Sequence, residues 1–174
     1  MKNIFRIIAN ILFGIRRFND RKISEFAKSI HNKKVLELGS GKKLNDKEYY
    51  SAKKYFDASN EFIQTDINPE FGHLVVDVTT MNFDSEYDVI LCLNVLEHVF
   101  DYPTAIENLY AALKQDGILV VLVPAMYPLH DEPHDYWRFT EHSLRRLFSS
   151  FQILRLDHSG IREFPVAYFL TIRK

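Results

Sequence analysis

The sequence predicts an α/β fold in which a doubly wound, mostly parallel sheet is covered by helices on both faces. Short apolar segments rich in β-branched residues alternate with amphipathic helical segments, as expected when parallel strands are joined by crossover helices. The apolar segments contain few polar positions, which indicates strands that are buried on both sides. The 174 residues show no break in composition, and we expect one main domain of this architecture.

Seven segments are predicted as strands of this sheet. They span residues 34–38, 61–66, 73–78, 87–94, 117–124, 151–158 and 165–174. A helix is predicted over 102–113, because Asp101 can cap its start and Gly117 follows its end. Thr140 is the expected N-cap of a further helix. Interleaved in this way, the elements describe a sheet of Rossmann type.

Two helices are predicted ahead of the first strand, at residues 1–17 and 21–31. We therefore divide the chain into N-terminal helices at 1–32 and a main domain at 33–174. The first helix contains an apolar run, but this run is too short to span a membrane and no signal-peptide cleavage site follows it. We expect the helix to pack on the domain. The alternative is a basic amphipathic helix that lies on a membrane surface.

The net charge of −1 argues against a nucleic-acid partner, because proteins that bind nucleic acids usually carry a basic field. The single cysteine, Cys92, cannot form a disulfide within the chain, which fits a reducing compartment. We expect a cytoplasmic protein, with peripheral membrane contact through residues 1–17 as the alternative. The sequence leaves the oligomeric state open.

A glycine corner, Gly39-Ser40-Gly41, directly follows the first strand. Glycines at the carboxyl end of a parallel strand let the backbone approach a ligand closely. A dinucleotide fingerprint needs a third glycine where this chain has Leu44, and no strong amphipathic helix begins behind the corner. The pattern therefore disfavours a pyrophosphate, and with it an NAD-dependent oxidoreductase.

Two acidic residues close the next two strands and favour a nucleoside as ligand. Asp66 lies 25 residues after Gly41, where a carboxylate can accept hydrogen bonds from both ribose hydroxyls. Asp77 ends the third strand and could meet the exocyclic amine of an adenine. Either aspartate alone would more commonly be a turn or cap residue, but together with the glycine corner they predict a nucleoside site.

With these motifs, residues 33–174 resemble the class I S-adenosylmethionine-dependent methyltransferases. The matching segments read VLELGSG, IQTDI, VDVTTM and YDVILCLNVLEHV. The resemblance implies S-adenosylmethionine as cofactor and a strand order of 3-2-1-4-5-7-6 with the last strand antiparallel. It also implies cofactor contacts for Glu37, Gly39, Ser40, Gly41 and Asn94 at the methionine moiety, Asp66 and Ile67 at the ribose, and Asp77 and Val78 at the adenine. The chain departs from the family in Lys42 and Lys43, which replace small residues, and in a short first crossover helix.

The residues after the fourth strand bear on the acceptor of the methyl group. Relatives that methylate nucleobase amines usually show Asn/Asp-Pro-Pro-aromatic at this place, where residues 94–97 read NVLE. A nucleobase acceptor is therefore disfavoured. The later PHDYWRFT block resembles one in bacterial methyltransferases associated with cell-surface polysaccharide pathways. It favours O-methylation of a small molecule or a glycan.

The loop after the fifth strand supplies the candidate catalytic residues. His130 and His134 lie in this loop, beside the expected position of the methyl group, and an imidazole there could take a proton from a hydroxyl. The alternative is a scaffolding role for the loop. It would involve core packing by Trp137 and Phe139 and an ion pair between Arg138 and Asp135.

We predict no bound metal. Glu97-His98 resembles the E-x-x-E-H cluster of metal-dependent methyltransferases, but Asn94 replaces the first carboxylate. The two loop histidines are four residues apart, yet Pro133 prevents the helix that would align them. The alternative to an enzyme is a non-catalytic module of the same fold that binds a nucleoside or serves in protein interactions.

Overall fold

The computed structural model describes residues 2–42 and 50–174, with side chains from residue 14 onward. Three α-helices lie in these ranges: α1 (Lys2–Ala27), α2 (Tyr102–Ala112) and α3 (Glu141–Leu147). The strands are β1 (Lys34–Leu38), β2 (Glu61–Asp66), β3 (Leu74–Val75), β4 (Tyr87–Leu93), β5 (Leu113–Pro124), β6 (Gln152–Ile161) and β7 (Phe164–Arg173). One-turn 3-10 helices span Ala52–Tyr55, Pro69–Phe71 and Leu96–His98. The predictions for Lys43, Leu44 and the first crossover helix fall outside the described residues.

The seven strands form one sheet in the order β3-β2-β1-β4-β5-β7-β6. Strands β1 to β5 pair in parallel, whereas β7 runs antiparallel to both β5 and β6. The predicted fold class and strand order are confirmed. In such a sheet the carboxyl ends of the parallel strands meet at one edge, which is where ligands bind.

Alternate residues of the central strands face two separate apolar cores. On β1, Val35 packs in the core that includes α1, and Leu36 packs in the core that includes α2 and α3. Val89 and Ile90 divide β4 in the same way. Because helices cover both faces, the central strands present only their ends to a ligand.

The prediction of two separate N-terminal helices is wrong, because residues 2–27 form the single helix α1. Between Ile15 and Ala27 the chain has neither glycine nor proline, so nothing interrupts the backbone hydrogen bonds of the helix. Phe18 and Ile23 are buried against the sheet. Within the described part of the chain, no helix is both long enough and apolar enough to cross a membrane.

The remaining differences concern the ends of elements. Helix α2 starts at the predicted cap, where the Asp101 side chain accepts the Thr104 N–H, but it ends at Ala112 and β5 begins at once. Gly117 therefore lies inside β5, where a Cβ atom would come within 2.8 Å of the Lys114 carbonyl oxygen. Strand β3 is much shorter than the predicted 73–78, because the chain turns at Asp77. Thr140 caps α3 as predicted.

Candidate functional site

A cavity of about 890 Å³ opens at the carboxyl ends of β1, β4 and β5. Glu37, Gly39 and Gly41 line it from the end of β1, and Asn94 lines it from the end of β4. Helix α1 and the loop after β5 form further walls. A volume of this size is typical of sites for small molecules and cofactors.

The glycine corner requires glycine at both of its glycine positions. Gly39 and Gly41 have φ angles of 68° and 71°, in the left-handed region that other residues rarely adopt. A Cβ atom on Gly39 would lie 2.7 Å from Val95 Cγ2, and one on Gly41 would lie 2.9 Å from Tyr50 Cβ. The backbone N–H of Ser40 donates to the Thr65 carbonyl, which ties the corner to β2.

Glu37 is almost completely buried beneath this corner, with an exposed fraction of 2%. Its carboxylate accepts hydrogen bonds from the Ser40 hydroxyl at 2.8 Å, the Ser51 hydroxyl at 2.5 Å and the Ala52 N–H at 2.6 Å. These bonds join the corner to the 3-10 helix Ala52–Tyr55 across the segment between them. Glu37 thus positions two walls of the cavity, a role that the sequence did not predict.

Asp66 supports the corner from the side of β2. Its carboxylate accepts the Gly41 N–H at 2.9 Å and the Asn68 N–H at 3.0 Å. A carboxylate has about four lone-pair positions, so acceptor capacity remains for a ribose. Ile67, the next residue, is exposed. Neither Asp66 nor Ile67 is among the described residues that line the cavity.

The predicted adenine-side residues also lie outside the cavity wall. Asp77 Oδ1 accepts the N–H of Thr79 at 2.8 Å and the Thr79 hydroxyl at 2.7 Å, so this carboxylate caps its own turn. Val78 is buried in the core, and its carbonyl accepts a hydrogen bond from Asn108 Nδ2 at 3.0 Å. The adenine contacts of both residues stay predictions.

The residues that follow β4 line the centre of the cavity. Asn94 has a φ of 53°, and its N–H donates to the Leu122 carbonyl at 2.8 Å, so β4 turns sharply at its end. Glu97 lies three residues further on and also lines the cavity. Its side chain is completely buried, and neither carboxylate oxygen has a hydrogen-bond partner among the described residues. Burial raises the pKa of Glu97 to about 8.

The two candidate catalytic histidines differ in position. His130 lines the cavity, whereas His134 is exposed and is absent from the described lining residues. His134 Nδ1 instead lies 2.8 Å from the Tyr136 hydroxyl oxygen. The geometry therefore supports contact with an acceptor for His130 and gives no such support for His134.

The scaffolding interactions predicted for the same loop are present. Arg138 donates to both carboxylate oxygens of Asp135 at 2.6 and 2.7 Å, and this pairing holds the pKa of Asp135 well below its usual range. Phe139 is buried in the core and Trp137 packs against it. Residues 135–139 thus anchor the loop to the domain, and His130 of the same loop lines the cavity.

Besides the role of Glu37, the sequence did not predict two contributions to the cavity wall. Ile15, Arg16, Asn19, Asp20 and Ile23 of α1 line the cavity. The Tyr55 hydroxyl donates to Asp20 Oδ1 at 2.7 Å and joins α1 to the opposite wall. The second contribution is that of Glu97 to the cavity wall. The only feature of the sequence that pointed to this residue was its resemblance, with His98, to a metal-binding cluster.

The same fold occurs in solved methyltransferases. The 1,6-didemethyltoxoflavin N1-methyltransferase of Burkholderia thailandensis, solved with S-adenosylhomocysteine, superimposes with a TM-score of 0.67 at 18% identity, over 97% of this chain and 85% of that chain. The N-methyltransferase NodS of Bradyrhizobium japonicum superimposes with a TM-score of 0.69 at 15% identity, over 91% of this chain and 96% of that chain.

Sequence comparison agrees with this fold. A highly reducing polyketide synthase of Gibberella fujikuroi is 30% identical over 112 residues, which are 52% of this chain and only 4% of that much longer protein. A family model described as a methyltransferase domain matches residues 13–159. The chain therefore belongs to the methyltransferase-domain family, which confirms the predicted resemblance to class I S-adenosylmethionine-dependent methyltransferases.

Proposed function

We propose that this methyltransferase transfers the methyl group of S-adenosylmethionine to an oxygen atom of a small-molecule or glycan acceptor. Family membership supports methyl transfer. The observation that carries the acceptor proposal is that the same cavity is lined by the glycine corner and by His130, whose imidazole can serve as a base.

The residues around the cavity fit S-adenosylmethionine. Gly39 and Gly41 keep side chains out of the space at the end of β1. Arg16, Lys54 and Asp20 bring both signs of charge to the cavity wall. A methionine moiety carries one carboxylate and one ammonium group, and such a wall offers an opposite charge to each.

Bound S-adenosylmethionine supplies an already activated methyl group, so the protein mainly has to align the acceptor with it. A hydroxyl acceptor must also lose a proton, which a suitably placed base facilitates. His130 is half-buried in the cavity wall, and Glu97 has a pKa of about 8 because it is buried. The raised pKa keeps Glu97 mostly protonated at neutral pH, so this side chain is not the expected base. The His130 imidazole in the cavity wall offers a ring nitrogen to the proton of an acceptor hydroxyl, which supports an oxygen acceptor.

An aromatic surface next to the same loop supports a small organic or sugar acceptor. Phe100 is 70% exposed, and its ring lies 5.4 Å from that of Tyr136 and 5.9 Å from that of Trp137. Exposed apolar surface of this kind commonly marks a ligand-binding site. Phe100 follows His98, a residue of the cavity wall, by two positions.

Calorimetric titration with S-adenosylmethionine, S-adenosylhomocysteine and NAD tests the cofactor. We expect binding of the first two and none of NAD. Incubation with methyl-labelled S-adenosylmethionine and matched alcohol, phenol, sugar and amine acceptors, followed by mass spectrometry, tests the acceptor atom. Label on the amines alone would contradict the oxygen proposal. Tight cofactor binding without transfer to any acceptor of the set would favour the non-catalytic module.

A further inference from the structure

Three side chains with metal-binding groups meet in the wall of the cavity. Glu97 and His98 belong to the 3-10 helix Leu96–His98, and His130 comes from the loop after β5. One potential ligand atom from each residue lies within 4.8 Å of those of the other two. The rings of His98 and His130 are in contact, with centroids 4.8 Å apart.

The Glu97 carboxylate is buried without a hydrogen-bond partner in the described part of the protein. Neither of its oxygens accepts a hydrogen bond there, although the side chain is completely buried. Buried carboxylates are normally hydrogen-bonded, paired or bound to a metal, because removing them from water is costly. The nearby Arg138 guanidinium is already committed to both oxygens of Asp135.

The tautomer of His98 is fixed by its surroundings. Its Nδ1 lies 2.8 Å from the His134 carbonyl oxygen. A carbonyl can only accept, so Nδ1 must carry the hydrogen and Nε2 must present a lone pair. This Nε2 lies 4.0 Å from Glu97 Oε1, on the side of the orphaned carboxylate.

His130 is held in the same tautomer. Its Nδ1 lies 3.2 Å from the Pro128 carbonyl oxygen and 3.2 Å from Asp135 Oδ2, and both of these atoms accept. The lone pair of the neutral ring is therefore on Nε2. A histidine that donates through one ring nitrogen to a carbonyl or carboxylate, and offers the other nitrogen to a cation, is the usual arrangement around a protein-bound metal.

We propose that Glu97, His98 and His130 bind a divalent transition-metal cation in the cavity wall. Two imidazole nitrogens and one carboxylate oxygen suit zinc, cobalt, iron or manganese better than magnesium or calcium, which prefer all-oxygen sites. Three protein ligands leave at least one coordination position open to the cavity. In a tetrahedral zinc site the ligand atoms are about 3.4 Å apart, so the three side chains move closer together on binding.

The proposed cation would have a specific role in methyl transfer. This role rests on the proposed function. A bound divalent cation lowers the pKa of a hydroxyl that coordinates it. In the metal-bound protein the cation would hold the Nε2 lone pair of His130, so an acceptor hydroxyl in the open position would lose its proton to water and not to this imidazole. Metal binding itself does not depend on methyl transfer and can be measured without any acceptor.

Titration of the full-length, chelator-treated protein with Zn²⁺ tests the proposal, with Co²⁺ as a spectroscopic probe. We expect one equivalent of Zn²⁺ to bind and Co²⁺ to give visible ligand-field absorption. Glu97→Gln and His130→Gln should each weaken Zn²⁺ binding at least tenfold. His142→Gln, which changes an exposed histidine outside the cluster, is the matched control and should leave the affinity unchanged.

Two results would overturn the proposal. One is that the wild-type protein binds no Zn²⁺ while it retains its folded circular-dichroism spectrum. The other is that Zn²⁺ binds but His130→Gln and His142→Gln have equal effects on its affinity. His130 lies in a loop and is not part of the apolar core, so its variant should fold even where Glu97→Gln does not.

Discussion

Two carboxylates hold the glycine corner from opposite sides. Asp66 accepts the Gly41 N–H at 2.9 Å, and Glu37 accepts the Ser40 hydroxyl at 2.8 Å. Hydrogen bonds to an ionised acceptor are roughly twice as strong as neutral ones. The corner is therefore shaped before a ligand arrives, and binding does not have to order it.

The first prediction concerns Glu37. Glu37→Gln should lower the free energy of unfolding by about 1.5–3 kcal/mol, the range for hydrogen bonds to a charged group. A glutamine offers one acceptor oxygen where the carboxylate accepts from at least three donors of the described residues, and its amide N–H₂ would face a donor. Urea denaturation measures the change. Glu61→Gln, at an exposed position, is the control, and equal stability of the two variants would show that the buried bonds contribute little.

The second prediction concerns Asp66. Asp66→Ala should weaken S-adenosylmethionine binding by about 1–3 kcal/mol, because the variant removes the expected ribose acceptor and the support of the Gly41 N–H. Calorimetry on the folded variant measures the loss. Asp84→Ala, which changes an exposed aspartate between β3 and β4, should bind normally. Unchanged affinity in Asp66→Ala would remove this residue from the cofactor site.

For single residues, the sequence predicts which side chains lie at the ends of strands. It does not predict contacts with loops that are distant in the chain. The positions of the glycine corner and Asp66 were predictable because the corner directly follows β1 and Asp66 is the last residue of β2. The burial of Glu97 was not, because its cover comes from a later loop. The backbone N–H groups of Tyr136 and Trp137 donate to the Glu97 carbonyl at 2.8 and 3.2 Å, and no local pattern signals this contact.

At the scale of elements, α1 is both a covering helix and a wall of the site. Its buried side chains, Phe18 and Ile23, pack on the sheet, while Arg16 and Asp20 line the cavity. Helical periodicity predicted a helix over residues 21–31, which includes the buried Ile23. It could not predict that the helix is continuous or reaches the strand ends, because both depend on how α1 docks on the sheet.

The third prediction concerns this helix. Deleting residues 1–17 should lower the thermal unfolding midpoint and weaken cofactor binding, because it shortens α1 and removes Ile15 and Arg16 from the cavity wall. The full-length protein should show no binding to anionic liposomes in a sedimentation assay. A stable truncated protein that has lost liposome binding would instead identify a membrane anchor.

A point substitution in α1 tests its packing separately. Phe18→Ala should lower the free energy of unfolding by about 3–5 kcal/mol, with exposed Arg17→Ala as its control.

At the scale of the whole molecule, the strand order determines which residues can meet. The parallel strands β1, β4 and β5 are neighbours, so the segments after them converge on one cavity. Alternating strands and helices were sufficient to predict this edge as the site. The contribution of α1 to the cavity wall was not predictable, because this helix reaches the strand ends from a distant part of the chain.

The last prediction is that acceptor chemistry and cofactor binding are separable. His130 lines the cavity from the loop after β5, whereas Gly41 lines it from the end of β1 and is held there by Asp66, where we expect the cofactor. His130→Ala should leave S-adenosylhomocysteine affinity within about twofold of wild type. It should lower turnover of an identified acceptor by about 10²–10⁴-fold, the usual effect of losing a group that assists proton transfer. His134→Ala should have a smaller effect, because that side chain is exposed and contacts Tyr136 instead of the cavity. Full turnover in both variants would exclude a histidine from the chemistry. Loss of S-adenosylhomocysteine binding in His130→Ala would place this loop in the cofactor site, because a residue that acts only on the acceptor has no contact through which to change cofactor affinity.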